Sequence, residues 1–163
     1  MIYRNYGNVQ RDIELTKIAK ACKKNRYHLF VSNDIKLAIK LKADGIYIPS
    51  FNRKKKFFNL AKKLTILGSA HNQQEIQKKI SQNCTAIFLS PVFNVKKSKN
   101  FLNVNKFNLI SRANKINMFA LGGITRKNLN KLRILNIRGF GGIDIFKKKP
   151  AFKRPVFLKN NFF

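Results

Sequence analysis

Ala120-Leu121-Gly122-Gly123-Ile124-Thr125 and, one helix-length segment later, Gly139-Phe140-Gly141-Gly142-Ile143-Asp144 decide how this chain reads. The first turn ends the apolar run 116–121, and residues 127–135 between the two read as a helix. Each turn closes a strand, and paired glycines let backbone N–H groups approach a ligand with no side chain between. One Gly-Gly pair marks any ordinary turn. Two pairs, one βα unit apart, match the phosphate-holding loops that follow the last two strands of many (β/α)8 barrels.

Working outward, the same rhythm runs the length of the chain. Residues 1–6 are a short extended start, and 13–24 carry Leu15, Ile18, Ala19 and Cys22 on one helical stripe. Residues 27–32 read as a buried strand, 34–42 as a short helix presenting Ile35, Ala38 and Ile39, and 45–48 as a strand stopped by Pro49. A short helix over 57–62 and a strand over 64–68 follow. Asn72 stands in the N-cap position of the next helix, with Glu75 at capping-box spacing. Strand 86–89 ends at Pro91, and a basic loop leads to a helix near 107–113. Strand 117–121, helix 127–135 and strand 139–145 complete the series.

Seven continuous apolar strands alternating with six helices predict a parallel sheet covered on its outside. Right-handed crossovers wind such units in one direction, towards a closed barrel. An open doubly wound sheet is the alternative. The expected fold is an α/β barrel of the TIM (β/α)8 type over residues 1–146, lacking its first βα unit. A basic tail, 147–163, follows and is interrupted by Pro150 and Pro155. A first βα unit is expected to be encoded ahead of Met1.

Composition narrows the function. The chain has 163 residues, one domain's worth, with 35 Lys and Arg against 6 Asp and Glu and a formal charge of +29. The cations are spread over every predicted helix, with local runs at 53–56, 96–97 and 147–149, and no aromatic-basic recognition motif accompanies them. Specific nucleic-acid binding is therefore not expected, whereas an anionic small substrate would gain from the field. No apolar run reaches the ~18–20 residues that cross a bilayer, and a cytoplasmic protein without a membrane partner is expected. Cys22 and Cys84 lie far apart in apolar contexts and read as reduced core residues. His28 lies within an apolar strand and reads as core, and with His71 it makes no zinc spacing.

Seven motifs in order resemble the thiamine phosphate synthase/TenI barrels, over residues 2 to 146. The family's second strand carries Q-x-R-x-K, of which Ile2-Tyr3-Arg4-Asn5-Tyr6 keeps the Arg; its N-D-D falls on Ser32-Asn33-Asp34. A-D-G-V-H-L-G-Q-E-D falls on residues 43–52, and G-x-S-x-H appears one residue shorter as Gly68-Ser69-Ala70-His71. G-P-V-F-x-T matches Ser90-Pro91-Val92-Phe93-Asn94-Val95, and the two glycine turns match the family's last two.

The resemblance implies a thiamine-biosynthesis enzyme that binds a thiazole phosphate or thiamine phosphate. It places substrate and phosphate contacts at Arg4, Ser69, Ser90, Gly122, Gly123, Gly141 and Gly142. Asp144 departs from a small neutral residue, and a carboxylate there must point away from an anion. The family's Mg2+ carboxylates fall on Asn33 and Asn52, both neutral, so no metal site is assigned; Asp34 either substitutes or caps the next helix. The family's Lys falls on Tyr6, and its Thr-Lys pair is spread over residues 95–99, including Lys97 and Lys99. His71 aligns with the histidine implicated in proton transfer in the TenI branch and is the catalytic candidate.

A TenI-like tautomerase or paralogue is accordingly favoured over a competent Mg2+-dependent synthase. The alternatives are an active synthase (a transferase) with an altered metal site and a non-catalytic barrel that binds a phosphorylated ligand. The oligomeric state is left open.

Overall fold

The computed structural model describes residues 1–4, 7, 10–54, 64–95, 100–142 and 145. The elements run β1 (Ile2–Tyr3), α1 (Arg11–Lys24), β2 (Phe30–Ser32), α2 (Ile35–Lys40), β3 (Gly45–Ile48), β4 (Thr65–Ala70) and α3 (Gln73–Ile80). They continue with β5 (Ala86–Leu89), α4 (Asn103–Arg112), β6 (Asn117–Leu121), a 3₁₀ helix (Arg126–Ile134) and β7 (Gly139–Gly141). Seven strands pair in chain order, all parallel, into one curled sheet. The (β/α)8-type architecture expected from the alternation is the one found, with seven strands among the described residues.

Alternate residues of each strand face opposite sides of the sheet, and two separate clusters result. Val31, Ile46, Ile66, Ile87 and Ala120 face the helices and pack with Leu15, Ile76 and Phe107. Phe30, Tyr47, Leu67, Ala86 and Phe88 occupy the concave face, with Ile2, Phe119 and Leu121 at the margin. There the Phe88 ring stacks at a tilt on Phe119, centroids 5.2 Å apart, and lies 6.1 Å from Tyr47. This aromatic filling forms the floor beneath the carboxyl ends of the strands.

Several details depart from expectation. His28 is an exposed residue, since β2 starts only at Phe30; its Nδ1 lies 2.8 Å from the Asp44 carboxylate. α2 turns Leu37 and Ala38 inward and leaves Ile39 exposed. The last helical segment winds as a 3₁₀ helix, and β7 stops at Gly141. The expected helix over 57–62 and the tail 147–163 lie outside the described residues. Cys22 and Cys84 are buried free thiols, and burial pushes Cys84 up to about 12, which keeps it protonated and unreactive at neutral pH. Among the described residues, no helix is long and apolar enough to cross a membrane.

Candidate functional site

A parallel sheet places the carboxyl ends of all its strands on one rim, and the residues singled out above follow those ends. Arg4 leaves β1, and its guanidinium sits 5.4 Å from the centroid of the Tyr47 ring on β3. Ser69 lies on β4 on the concave side, buried. Ser90 and His71 follow neighbouring strands and meet. His71 Nδ1 lies 2.7 Å from the Ser90 carbonyl oxygen and 3.3 Å from Ser90 Oγ.

A carbonyl oxygen can only accept, so Nδ1 carries the hydrogen and the neutral imidazole keeps its lone pair on Nε2. Among the described residues Nε2 has no hydrogen-bond partner. Asn72 caps α3 through Glu75 N at 2.9 Å, as the spacing predicts. The Glu75 carboxylate reaches back one residue further than a capping box requires, to His71 N at 2.7 Å. The helix start thereby fixes the histidine backbone.

The first glycine turn is held against the loop after β5. Gly122 and Gly123 both have left-handed backbone, φ +87° and +72°. A Cβ on Gly122 would lie 2.8 Å from Pro91 Cα, and one on Gly123 would lie 2.4 Å from the Phe93 carbonyl oxygen. Val92 N and Phe93 N donate to the carbonyls of Leu121 and Gly122 at 2.9 and 3.1 Å. These glycines are thus required by the joint between the two loops. Gly141 lies at the concave face, where an added Cβ would meet Leu121 Cδ1 at 3.2 Å. Gly142 follows at the same rim, half-buried. Tyr6, Lys97, Lys99 and Asp144 lie outside the described residues.

Asn33 and Asn52 meet across an open cavity of about 450 Å³, lined by Asn33, Phe51, Asn52, Arg53 and Lys54. Lys54 N donates to Asn52 Oδ1 at 2.9 Å. That bond turns Asn52 Nδ2 towards Asn33, whose Oδ1 accepts from it. Asn33 itself takes a left-handed backbone, φ +64°, a conformation that asparagine enters more readily than most residues. Asp34 caps α2, accepting from Leu37 N at 3.0 Å, and its other oxygen lies 3.4 Å from Arg11. The positions that carry the metal in the resembled family therefore offer two neutral amides whose oxygens are already bonded, beside a carboxylate committed to a helix cap. Such a donor set does not fit Mg2+, which takes anionic oxygens in strict octahedral geometry.

Lys79 and Gln82 were not singled out by the sequence reading, yet both are fully buried and hold this loop. The Lys79 ammonium donates to Pro49 O at 2.8 Å, Asn52 O at 2.7 Å and Gln82 Oε1 at 2.9 Å. Gln82 Nε2 donates to Asn52 O and Lys54 O at 3.0 and 2.9 Å. Burial lowers the Lys79 pKa to about 8. One signal was available: position 79 falls on the same helical face as buried Ile76, where a solvated lysine has no place.

The family model described as thiamine monophosphate synthase matches residues 2–144. A thiamine-phosphate synthase of Prochlorococcus marinus is 28% identical over 132 residues, 77% of this chain and 37% of that protein. One from Pediococcus pentosaceus is 26% identical over 160 residues, 91% of this chain and 73% of that protein. The chain spans just over a third of the length of the Prochlorococcus relatives. Among solved structures, a thiamine phosphate pyrophosphorylase from Pyrococcus furiosus superposes with a TM-score of 0.72 at 18% identity. That superposition covers 90% of this chain and 71% of the other and establishes likeness of fold.

Proposed function

Because the chain belongs to the thiamine monophosphate synthase family, we propose that it binds a thiazole phosphate or thiamine phosphate at the carboxyl rim and acts as a TenI-like tautomerase or a paralogue of one. The observation that carries this reading is His71, whose Nδ1–H is tied to the Ser90 carbonyl while Nε2 keeps its lone pair. A tautomerisation removes a proton from one atom of a ring and returns it to another, with no net change in charge or redox state. A single histidine serves both halves, accepting the proton at Nε2 and giving it back. As the imidazolium forms, the Ser90 carbonyl continues to accept from Nδ1 and stabilises the positive ring.

The ligand phosphate is assigned to the turns at Gly122–Gly123 and Gly141–Gly142, with Arg4 on the same rim and Ser69 and Ser90 on the concave side. Phosphate binding by backbone N–H groups needs no metal. The amide pair Asn33–Asn52 supports tautomerase over condensation, because displacement of a diphosphate depends on positioned cations at that point.

The test is an assay of the purified protein for thiazole phosphate tautomerisation and, separately, for Mg2+-dependent formation of thiamine phosphate. Tautomerase activity lost in His71→Ala supports the reading. Robust Mg2+-dependent condensation overturns it, and ligand binding without either activity marks a non-catalytic barrel.

A further inference from the structure

We propose that Tyr47 is a positioning residue for the ligand site: its ring face holds the Arg4 guanidinium over the concave side of the sheet. Strand register leads to this. Tyr3 of β1 pairs with Val31 of β2, and Ser32 of β2 pairs with Tyr47 of β3. Continuing β1 by one residue sets Arg4 in line with Ser32 and Tyr47. Strand alternation then turns all three towards the face that carries Ile2 and Phe30. Arg4 and Tyr47 are thus two strands apart, about 9–10 Å. The residue between them is a serine, whose short side chain lies 3.3 Å from Tyr47 O and leaves the row open to the arginine stem. The guanidinium carbon reaches 5.4 Å from the Tyr47 ring centroid.

The two partners differ in rigidity. Tyr47 is fully buried, packed among Phe30, Leu67, Ala86 and Phe88, and its ring lies 6.1 Å from Phe88, which in turn stacks on Phe119. Arg4 is exposed. A long exposed side chain must be ordered when a ligand arrives, and that ordering weakens binding. A cation over an aromatic ring is attracted to the ring's charge distribution and needs none of its N–H donors for the contact. The ring therefore orders the arginine head in advance and leaves its donors for the ligand. The consequence for binding rests on the assignment of Arg4 to the ligand under the proposed function; the contact itself does not.

Two readouts on the full chain test this. In the proton NMR spectrum of the wild type, the Arg4 Cδ protons, identified by their loss in Arg4→Ala, should lie upfield of ordinary arginine values through the Tyr47 ring current. The shift should persist in Tyr47→Phe and vanish in Tyr47→Leu. Ordinary values in the wild type overturn the proposal, and that result needs no variant at position 47 to fold. Calorimetric titration of thiazole phosphate supplies a double-mutant cycle. Arg4→Ala should weaken binding by roughly tenfold or more, and Tyr47→Leu by about two- to fivefold, whereas Tyr47→Phe should bind like the wild type. With Arg4→Ala already present, Tyr47→Leu should add no further loss. A loss from Tyr47→Leu that is undiminished without Arg4 marks a ring with a structural role alone and overturns the proposal. Wild-type affinity in Tyr47→Leu but not in Arg4→Ala also overturns it, and leaves the proposed function standing. Wild-type affinity in Arg4→Ala, or no binding of thiazole phosphate by the wild type, overturns the assignment of Arg4 to the ligand and this proposal with it.

Discussion

The Lys79 ammonium lies 2.8 Å from the Pro49 carbonyl oxygen, tying α3 to the loop after β3. The lysine stem reaches that carbonyl by passing over Gly68 of β4, where an added Cβ would lie 3.0 Å from Lys79 Cδ. A buried cation without a carboxylate partner is costly, and three oxygen acceptors offset that cost.

Stability is expected to respond to this lysine through pH. Its folded pKa of about 8 lies below the value of 10.5 for a free lysine, so between the two the unfolded chain binds the extra proton. Stability then rises with pH across that window, by up to about 1.4 kcal/mol per pH unit, and the penalty is fully present below it. Lys79→Met, which leaves the acceptors unmet, should cost about 3 kcal/mol near neutrality. Urea denaturation of both proteins on either side of the window checks the sign: wild type should gain relative to Lys79→Met as pH rises.

The two glycine turns should separate under substitution. Gly123→Ala forces a left-handed alanine whose Cβ sits 2.4 Å from the Phe93 oxygen, and a loss of about 2–4 kcal/mol is expected. Gly141→Ala meets only the Leu121 and Phe88 side chains, at 3.2 and 3.3 Å, and should cost about 1 kcal/mol. Denaturant midpoints measure both, and Gly141→Ala is the variant in which loss of thiazole phosphate binding can be read apart from folding.

Asn33→Asp/Asn52→Asp sets two carboxylates face to face where one amide now donates to the other. Like charges at this distance destabilise each other until a cation intervenes. The melting temperature of the double variant should fall in EDTA and recover with added Mg2+, while the wild type stays indifferent to the metal. A wild-type melt that rises with Mg2+ would count against the reading of the amide pair.

Asp44 joins the start of β3 to the approach of β2. Its burial pushes the carboxyl up, but hydrogen bonds from Leu29 N and the His28 ring outweigh that, and the net pKa lies below 3.8. The resulting stability is present above the unfolded carboxyl's pKa and lost as pH falls through the lowered one. Asp44→Asn should cost about 1 kcal/mol at neutral pH, reduced by salt because the pair is half exposed. The difference should vanish in acid, which unfolding curves at descending pH would show.

Where the chain punctuates its strands, the fold was legible. β3, β5 and β6 coincide with the expected 45–48, 86–89 and 117–121, because unbroken apolar runs end there at Pro49, Pro91 and Gly122. The Asn72 cap was legible because its partner, Glu75, lies one turn away. His28 misled, since its apolar neighbours suggested a strand that in fact begins two residues later. The 3₁₀ winding of residues 126–134 was not visible either, as the apolar pattern of a short helix does not distinguish i+3 from i+4 bonding.

The sequence by itself determined the alternation of helices and strands and the parallel sheet that this alternation implies. These follow from local signals: two-residue and 3.6-residue periodicity, and the glycines and prolines that stop each strand. Tertiary structure alone decided which polar atoms are engaged by partners far along the chain. Lys78 and Lys79 are identical in sequence, yet one is solvated and the other is buried under carbonyls some thirty positions away. The Asn33 oxygen is engaged only because two loops after adjacent strands bring it against the Asn52 amide. Hydrogen bonding between residues far apart along the chain depends on atoms that meet only in space, so a one-dimensional pattern carries no record of it.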